Sequence, residues 1–160
     1  MSQTDRVRVS TVVGVDPTTA FEVFTREIDL WWRRGPRFRA PADQRLAFEP
    51  GVGGRLLAYR ESGEAWEIGR VLVWEAGKRL VFEWRACNFE ADELTEVELL
   101  FEAEGSATRV SLEHRGWDTI PVDHPVRHGL ADEPAFRAFF GHWWADLLFG
   151  LRSHAEARSS

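Results

Sequence analysis

The chain of 160 residues has one cysteine, Cys87, and no basic surplus: 26 acidic residues outweigh 20 Lys and Arg, for a formal net charge of −6. A lone cysteine excludes an intramolecular disulfide and fits a reducing compartment. No basic motif surrounds Cys87 to sharpen its thiol. The acidic balance excludes an extended nucleic-acid surface, which needs clustered Lys and Arg. Arg33, Arg34, Arg37 and Arg39 form a local basic stretch that acidic segments offset. No apolar run approaches the roughly 20 residues that span a bilayer, and Met1 to Arg6 carries no apolar signal-peptide core. The expectation is a soluble, cytoplasmic domain with neither nucleic acid nor membrane as partner.

Several motifs of familiar chemistry are also missing. Ser62, Ser106 and Ser111 lack a G-x-S-x-G context, which leaves a hydrolase triad unsupported. Gly51, Gly53 and Gly54 precede a strand and are not followed by Lys-Ser or Lys-Thr, so they read as a turn or bulge and not as a phosphate loop. His124 and His128 stand four apart beside Asp123, but Pro125 breaks the register and no third ligand has a fixed spacing. No catalytic residue, metal ligand or cofactor is assigned. Internal repeats and low-complexity segments are absent.

What the chain has in excess is tryptophan, eight residues in all. Indole is large, amphipathic and carries one N–H that seeks a partner, so it lines cavities as readily as it fills cores. Trp66, Trp74, Trp84 and Trp117 fall in or beside strand-like segments, Trp31 and Trp32 close an early helical stretch, and Trp143 and Trp144 sit on an apolar C-terminal helix.

Alternation predicts a strand over 7–13, with Val7, Val9, Thr11 and Val13 on one face. Asp16-Pro17 reads as an N-cap followed by proline at the first helical position, and a second short helix is expected over 27–32. Glycine-punctuated strands follow at 45–49, 55–60, 65–75, 79–85, 95–102 and 108–115, joined by hairpin-length turns. The phase of the strand over 65–75 is ambiguous, which leaves Glu67 on either face; the other strand glutamates, Glu83, Glu96, Glu98 and Glu102, fall on polar faces. After an irregular stretch, Asp132-Glu133-Pro134 starts a helix on which Phe136, Phe140, Trp143, Leu147 and Leu151 recur at helical spacing. Phe139, Trp144 and Leu148 widen that stripe beyond the roughly 100° a surface helix needs. A curved sheet, an apolar ligand or a second copy in a homodimer would cover the excess.

This order resembles the START-like (SRPBCC, Bet v 1-like) helix-grip superfamily, in its branch related to the activator of the ninety-kilodalton heat-shock protein ATPase (AHSA-type). The resemblance runs from about Val7 to His154. It rests on Asp16-Pro17-Thr18-Thr19-Ala20-Phe21, Trp31-Trp32, and Phe48-Glu49-Pro50-Gly51-Val52-Gly53-Gly54-Arg55. The hairpin Ile68 to Glu75 with Arg79 to Trp84, the strand Thr108 to Trp117, and Gly141-His142-Trp143-Trp144-Ala145-Asp146-Leu147-Leu148 complete the set. It implies an α+β fold: a curved antiparallel sheet of about seven strands wrapped on a long C-terminal helix, with two short helices after the first strand. One domain is expected over 6–156, with flexible termini at 1–5 and 157–160.

The resemblance also implies a hydrophobic cavity between sheet and helix, as in lipid and hormone binders, polyketide cyclases and chaperone-activating domains of the superfamily. Trp31, Trp32, Phe38, Phe82, Trp84, Phe101, His114, Phe140, Trp143 and Leu147 are the expected ligand-binding residues for a small hydrophobic or aromatic molecule. Trp31 and Trp32 would stand near the mouth. His114 shares the inward face of Thr108, Val110 and Leu112; it either orients a polar group of the ligand, acts as acid or base, or is satisfied by a backbone or Trp neighbour. Thr95 and Thr108 are secondary candidates. Binding without catalysis is the first expectation; a cyclase or dehydratase in the same pocket and a chaperone-regulating interaction protein are the alternatives.

Overall fold

The computed structural model describes residues 6–34, 42–85, 93–117, 120, 124 and 133–159. The elements are β1 (Arg6–Val13), α1 (Pro17–Arg26), α2 (Ile28–Trp31), β2 (Arg45–Phe48), β3 (Arg55–Tyr59), β4 (Ala65–Glu75), β5 (Arg79–Trp84), β6 (Thr95–Glu104), β7 (Ala107–Arg115) and α3 (Glu133–Ser159). They form a seven-stranded antiparallel sheet ordered β1-β7-β6-β5-β4-β3-β2. Five of the six pairs join strands consecutive in sequence. The exception is β1, which pairs with the last strand from Arg6↔Arg115 to Val13↔Thr108. This is the expected curved sheet with two short helices after β1 and one long helix at the end.

Asp16 caps α1, accepting the Thr19 backbone N–H, and Pro17 takes a first-turn position where no N–H is needed. Carbonyls near the end of α1 are left open by helix geometry; the indole N–H of Trp31 meets those of Val23 (3.0 Å) and Phe24 (3.3 Å), which locks α2 against α1.

The concave face of the sheet carries Leu56, Ala58, Val71, Leu80, Phe82, Val97, Leu99, Phe101, Val110 and Leu112, all buried. On α3, Phe136, Phe140, Trp143, Trp144, Leu147, Leu148, Leu151 and Ala155 are buried. Trp144 and Leu148, which widen the stripe, are thus covered within the chain itself; Phe149, which lies off that stripe, is 60% exposed. The helix continues past 156, and Arg158 reaches Glu27 at 2.6 Å while His154 meets the same carboxylate at 2.9 Å. At Gly150 an added Cβ would lie 2.8 Å from the Trp31 carbonyl oxygen, so a side chain there would wedge α3 away from α2.

The ambiguous strand owes its mixed phase to two irregularities. Leu56 pairs with Gly69 but Leu57 with Glu67, and Val71 pairs with Phe82 but Val73 with Val81. Ile68 and Leu72 are therefore extra residues, and each bulge bends the strand and flips its alternation. Gly69 sits at this bend, where a Cβ would fall 1.6 Å from the Glu83 carbonyl oxygen. Glu67 lies half-buried in ion-pair range of Arg70 at 3.5 Å.

On the outer face, Arg115 bridges Glu96 (2.9 Å) and Glu98 (2.6 Å), and Glu113 receives Arg6 (3.0 Å) and Arg8 (3.1 Å). Partial burial pushes the Glu98 carboxyl up, but hydrogen bonds from Arg115 and Arg79 outweigh it and hold the group below its ordinary value. Among the described residues no helix is long and apolar enough to cross a membrane.

Candidate functional site

Period-two alternation places Phe82 and Trp84 of β5 and Phe101 of β6 on one face, yet the structure divides the expected site residues between two ring clusters. Phe82 and Phe101 join Phe21, Phe24, Phe48 and Trp74 beneath α1. Phe21 meets Trp74 and Phe101 edge-on, both at 5.2 Å between ring centroids, and Phe48 meets Phe82 at 5.3 Å. Trp31 belongs to this group through Phe24, at 5.1 Å.

The second cluster lies under α3. Trp32 stacks on Trp84 with centroids 6.0 Å apart and ring planes 26° apart. Trp143 stands edge-on to Trp32 (6.1 Å) and to Trp84 (6.2 Å), and Trp144 does so at 5.8 Å to each. His114 packs on Trp117 at 4.6 Å, and Trp117 on Phe136 and Phe140 at 5.0 Å each. Trp32, Trp84, His114, Phe140 and Trp143 are thus brought together as expected site residues. Leu147 is an aliphatic member of the buried core, and Phe38 lies outside the described residues. The contact between Trp31 and Trp32, at 5.4 Å, joins the two clusters.

Within the second cluster runs a hydrogen-bond chain of fixed direction. Indole only donates, so Trp144 Nε1–H bonds to an unprotonated His114 Nδ1 at 3.1 Å. The neutral ring then carries its proton on Nε2 and donates to Thr95 Oγ1 at 2.7 Å. The Thr95 hydroxyl passes its own hydrogen to the Trp84 carbonyl at 3.0 Å. His114 is fully buried, and burial pushes its imidazole down from 6.5 to about 3. At neutral pH it is an uncharged ring with both nitrogens engaged. Thr108, the other secondary candidate, bonds instead to the Val15 carbonyl at 2.8 Å.

Trp144, Trp117 and Phe136 were not among the expected ligand-binding residues. Trp144 stood in the sequence only as a member that widened the helical stripe. Its partner His114 is thirty residues away, a pairing that no local pattern announces.

His124 pairs with Glu93 at 2.9 Å, both largely buried. Its companions in the possible metal set, Asp123 and His128, lie outside the described residues, as does Cys87. Among the described residues no group of three or more His, Cys, Asp or Glu could hold a metal ion. An open depression of about 350 Å³ on the outer face is lined by a mixture of charged, polar and aliphatic residues, among them Arg8, Val9, Glu98, Leu100, Ser111 and Glu113.

A curved antiparallel sheet closed on a long C-terminal helix, with an aromatic interior between them, defines a helix-grip protein. The chain belongs to the family of Activator of Hsp90 ATPase homolog 1-like proteins, whose model matches residues 15–144. Among solved structures, a protein from Mesorhizobium loti shares 18% identity, with 97% of this chain and 98% of that one covered at a TM-score of 0.67. An anthrahydroquino-γ-pyrone synthase, Txn09, is 35% identical over 69% of this chain and 75% of that one, with a TM-score of 0.54. An HSP90 activator from Plasmodium falciparum shares 18% identity over 76% of this chain and 77% of its own, at a TM-score of 0.53. No curated protein matches the sequence.

Proposed function

We propose that the protein binds a small, flat aromatic molecule against the ring cluster of Trp32, Trp84, Phe140 and Trp143. The observation that carries this reading is the stacked pair Trp32 and Trp84 with Trp143 set edge-on to both, three indoles contributed by three different parts of the chain. Trp84 is only partly buried, so a guest can reach an indole that packing has not sealed. Offset stacking and burial of apolar area, at about 25 cal/mol per Å², supply the affinity. His114 acts here by positioning: its engaged nitrogens fix Thr95 and hold the Trp84 backbone against β6. Tryptophan emission titrated with a panel of planar aromatics is the test. Saturable quenching by some members supports the reading, and an unperturbed spectrum with every member overturns it.

A second reading, ring-forming catalysis of the cyclase kind in the same place, is favoured by the likeness to the γ-pyrone synthase. It expects mass-balanced conversion of a bound aromatic precursor into a cyclised product. Binding with full recovery of every unchanged precursor removes it.

A further inference from the structure

Trp32 stands where the chain leaves α2, with its backbone extended at φ −65° and ψ 134°. A four-residue helix cannot hold that departure by itself, because nucleating a turn costs more than one turn returns. The residues around Trp32 are instead each fixed to a different part of the fold. Trp31 is locked on α1 by its indole. The stem of Arg33 lies against α3, where its Cγ would stand 3.5 Å from a Cβ added at Gly150. Arg34 turns towards β2. Its Nε donates to the Gln44 carbonyl at 2.6 Å, Nη1 to the Trp32 carbonyl at 3.3 Å and Nη2 to the Asp29 carbonyl at 3.1 Å. Nη2 also reaches the Asp29 carboxylate, which accepts the Leu46 backbone N–H at 3.0 Å. One half-buried guanidinium thus ties carbonyls that helix geometry leaves open at the end of α2 to the residue that leads into β2. A cation at that end also suits the helix dipole.

We infer that Arg34 is the positioning residue of the aromatic site: its grip on the Trp32 carbonyl sets the angle at which that indole stacks on Trp84. The inference rests on the aromatic-binding reading above and adds to it a residue that need touch no ligand. A stack with ring planes 26° apart depends on backbone direction at Trp32, and a stack fixed before binding gives up less entropy when a guest arrives. Lysine is no substitute, since an ammonium is a single point charge and the guanidinium fork addresses three carbonyls at set angles. Arg45 provides the internal contrast. It meets the same Asp29 carboxylate at 3.1 Å, is 54% exposed, and makes no bond to the Trp32 carbonyl.

The test uses the full chain labelled with ¹⁵N at its tryptophans. Arg34→Lys keeps the charge and removes the fork, so the indole N–H resonances of Trp32 and Trp84 should move. That of Trp74, which packs on Phe21 and Phe48 in the other cluster, should hold. Arg45→Gln should leave all three in place. Affinity for anthracene-2-sulfonate, read from the fluorescence of the probe, should fall about tenfold with Arg34→Lys and keep the parent value with Arg45→Gln. Unmoved Trp32 and Trp84 resonances in Arg34→Lys overturn the inference, as does an equal displacement in Arg45→Gln. Collapse of every indole resonance together would show a merely structural role and overturn it too. Resonances that move as expected in a chain that binds no planar aromatic uphold the role of Arg34 and overturn the aromatic-binding reading instead.

Discussion

The ring cluster beneath α1 and the ring cluster beneath α3 share the concave face of one sheet and differ in the polar atoms they enclose. The first is made almost wholly of phenylalanine, with Phe21, Phe24, Phe82 and Phe101 all buried. Of its two indoles, Trp74 lies edge-on to Phe21 and Trp31 spends its N–H on closing α1. The second contains five tryptophans, a histidine and a threonine, and its interior is threaded by donors and acceptors. Equal ring density therefore serves two ends. Hydrocarbon rings without polar atoms give packing energy and nothing for a ligand to address. Indoles and imidazole bring polar atoms that must be satisfied, and here Trp144, His114 and Thr95 satisfy one another in a chain.

The contrast can be broken experimentally. The largest effect is expected in the dry cluster: Phe24→Ala should cost about 3–5 kcal/mol, since a fully buried ring is replaced by a cavity. Its urea midpoint should fall far more than its affinity for a planar aromatic changes; the reverse pattern would mean that the clusters are one functional unit.

The next effect is a pH dependence carried by His114. Its folded-state value of about 3 lies below its ordinary 6.5, so the unfolded chain takes up the proton first as pH falls. The stability attached to the neutral ring is complete above about pH 6.5 and is lost progressively towards pH 3, at roughly 1.4 kcal/mol per unit. His114→Phe should flatten that slope relative to the parent between pH 6.5 and 5. Identical slopes would show that the ring is not held neutral.

Smaller again is Thr95→Val, which leaves the His114 Nε2–H without its acceptor and should cost about 1–3 kcal/mol. Combined with Trp144→Phe, it should give a non-additive total, because both act through the same imidazole. Strict additivity would dissolve the hydrogen-bond chain into unrelated contacts. Smallest is Arg115→Gln on the outer face, expected within about 1 kcal/mol and shrinking further in salt. A larger, salt-independent loss would move the stabilising weight from the ring clusters to the outer ion lattice.

The strands and helices were legible because alternation and capping are local. The span of β4 reads directly from 65–75, and Asp16-Pro17 marks α1 without ambiguity. The division of the site was not legible, since period two reports the face of a strand and not the position along the groove. Phe82 and Trp84 are two residues apart on the same face, yet they serve different clusters. Trp31 and Trp32 are adjacent and still part ways, because the short helix ends between them and turns the second indole towards β5. His114 could be placed inward by its neighbours Val110 and Leu112, but its donors and acceptors arrive from α3 and β6, across thirty and nineteen residues of sequence.

The two bulges of β4 come as a pair, and parity explains why that matters. Trp66 opposes buried Ala58 and Trp74 opposes buried Leu80, so both tryptophans face inward although an odd-numbered inward stretch, Gly69 and Val71, separates them. One extra residue inverts the reading frame of the strand and the second restores it. Deleting Leu72 alone would send Trp74 to the solvent side while leaving Trp66 in place. Deleting Ile68 and Leu72 together would keep every face correct and straighten the strand. In this sense the curvature of the grip is written as a pair of compensating frameshifts in the β4 pleat.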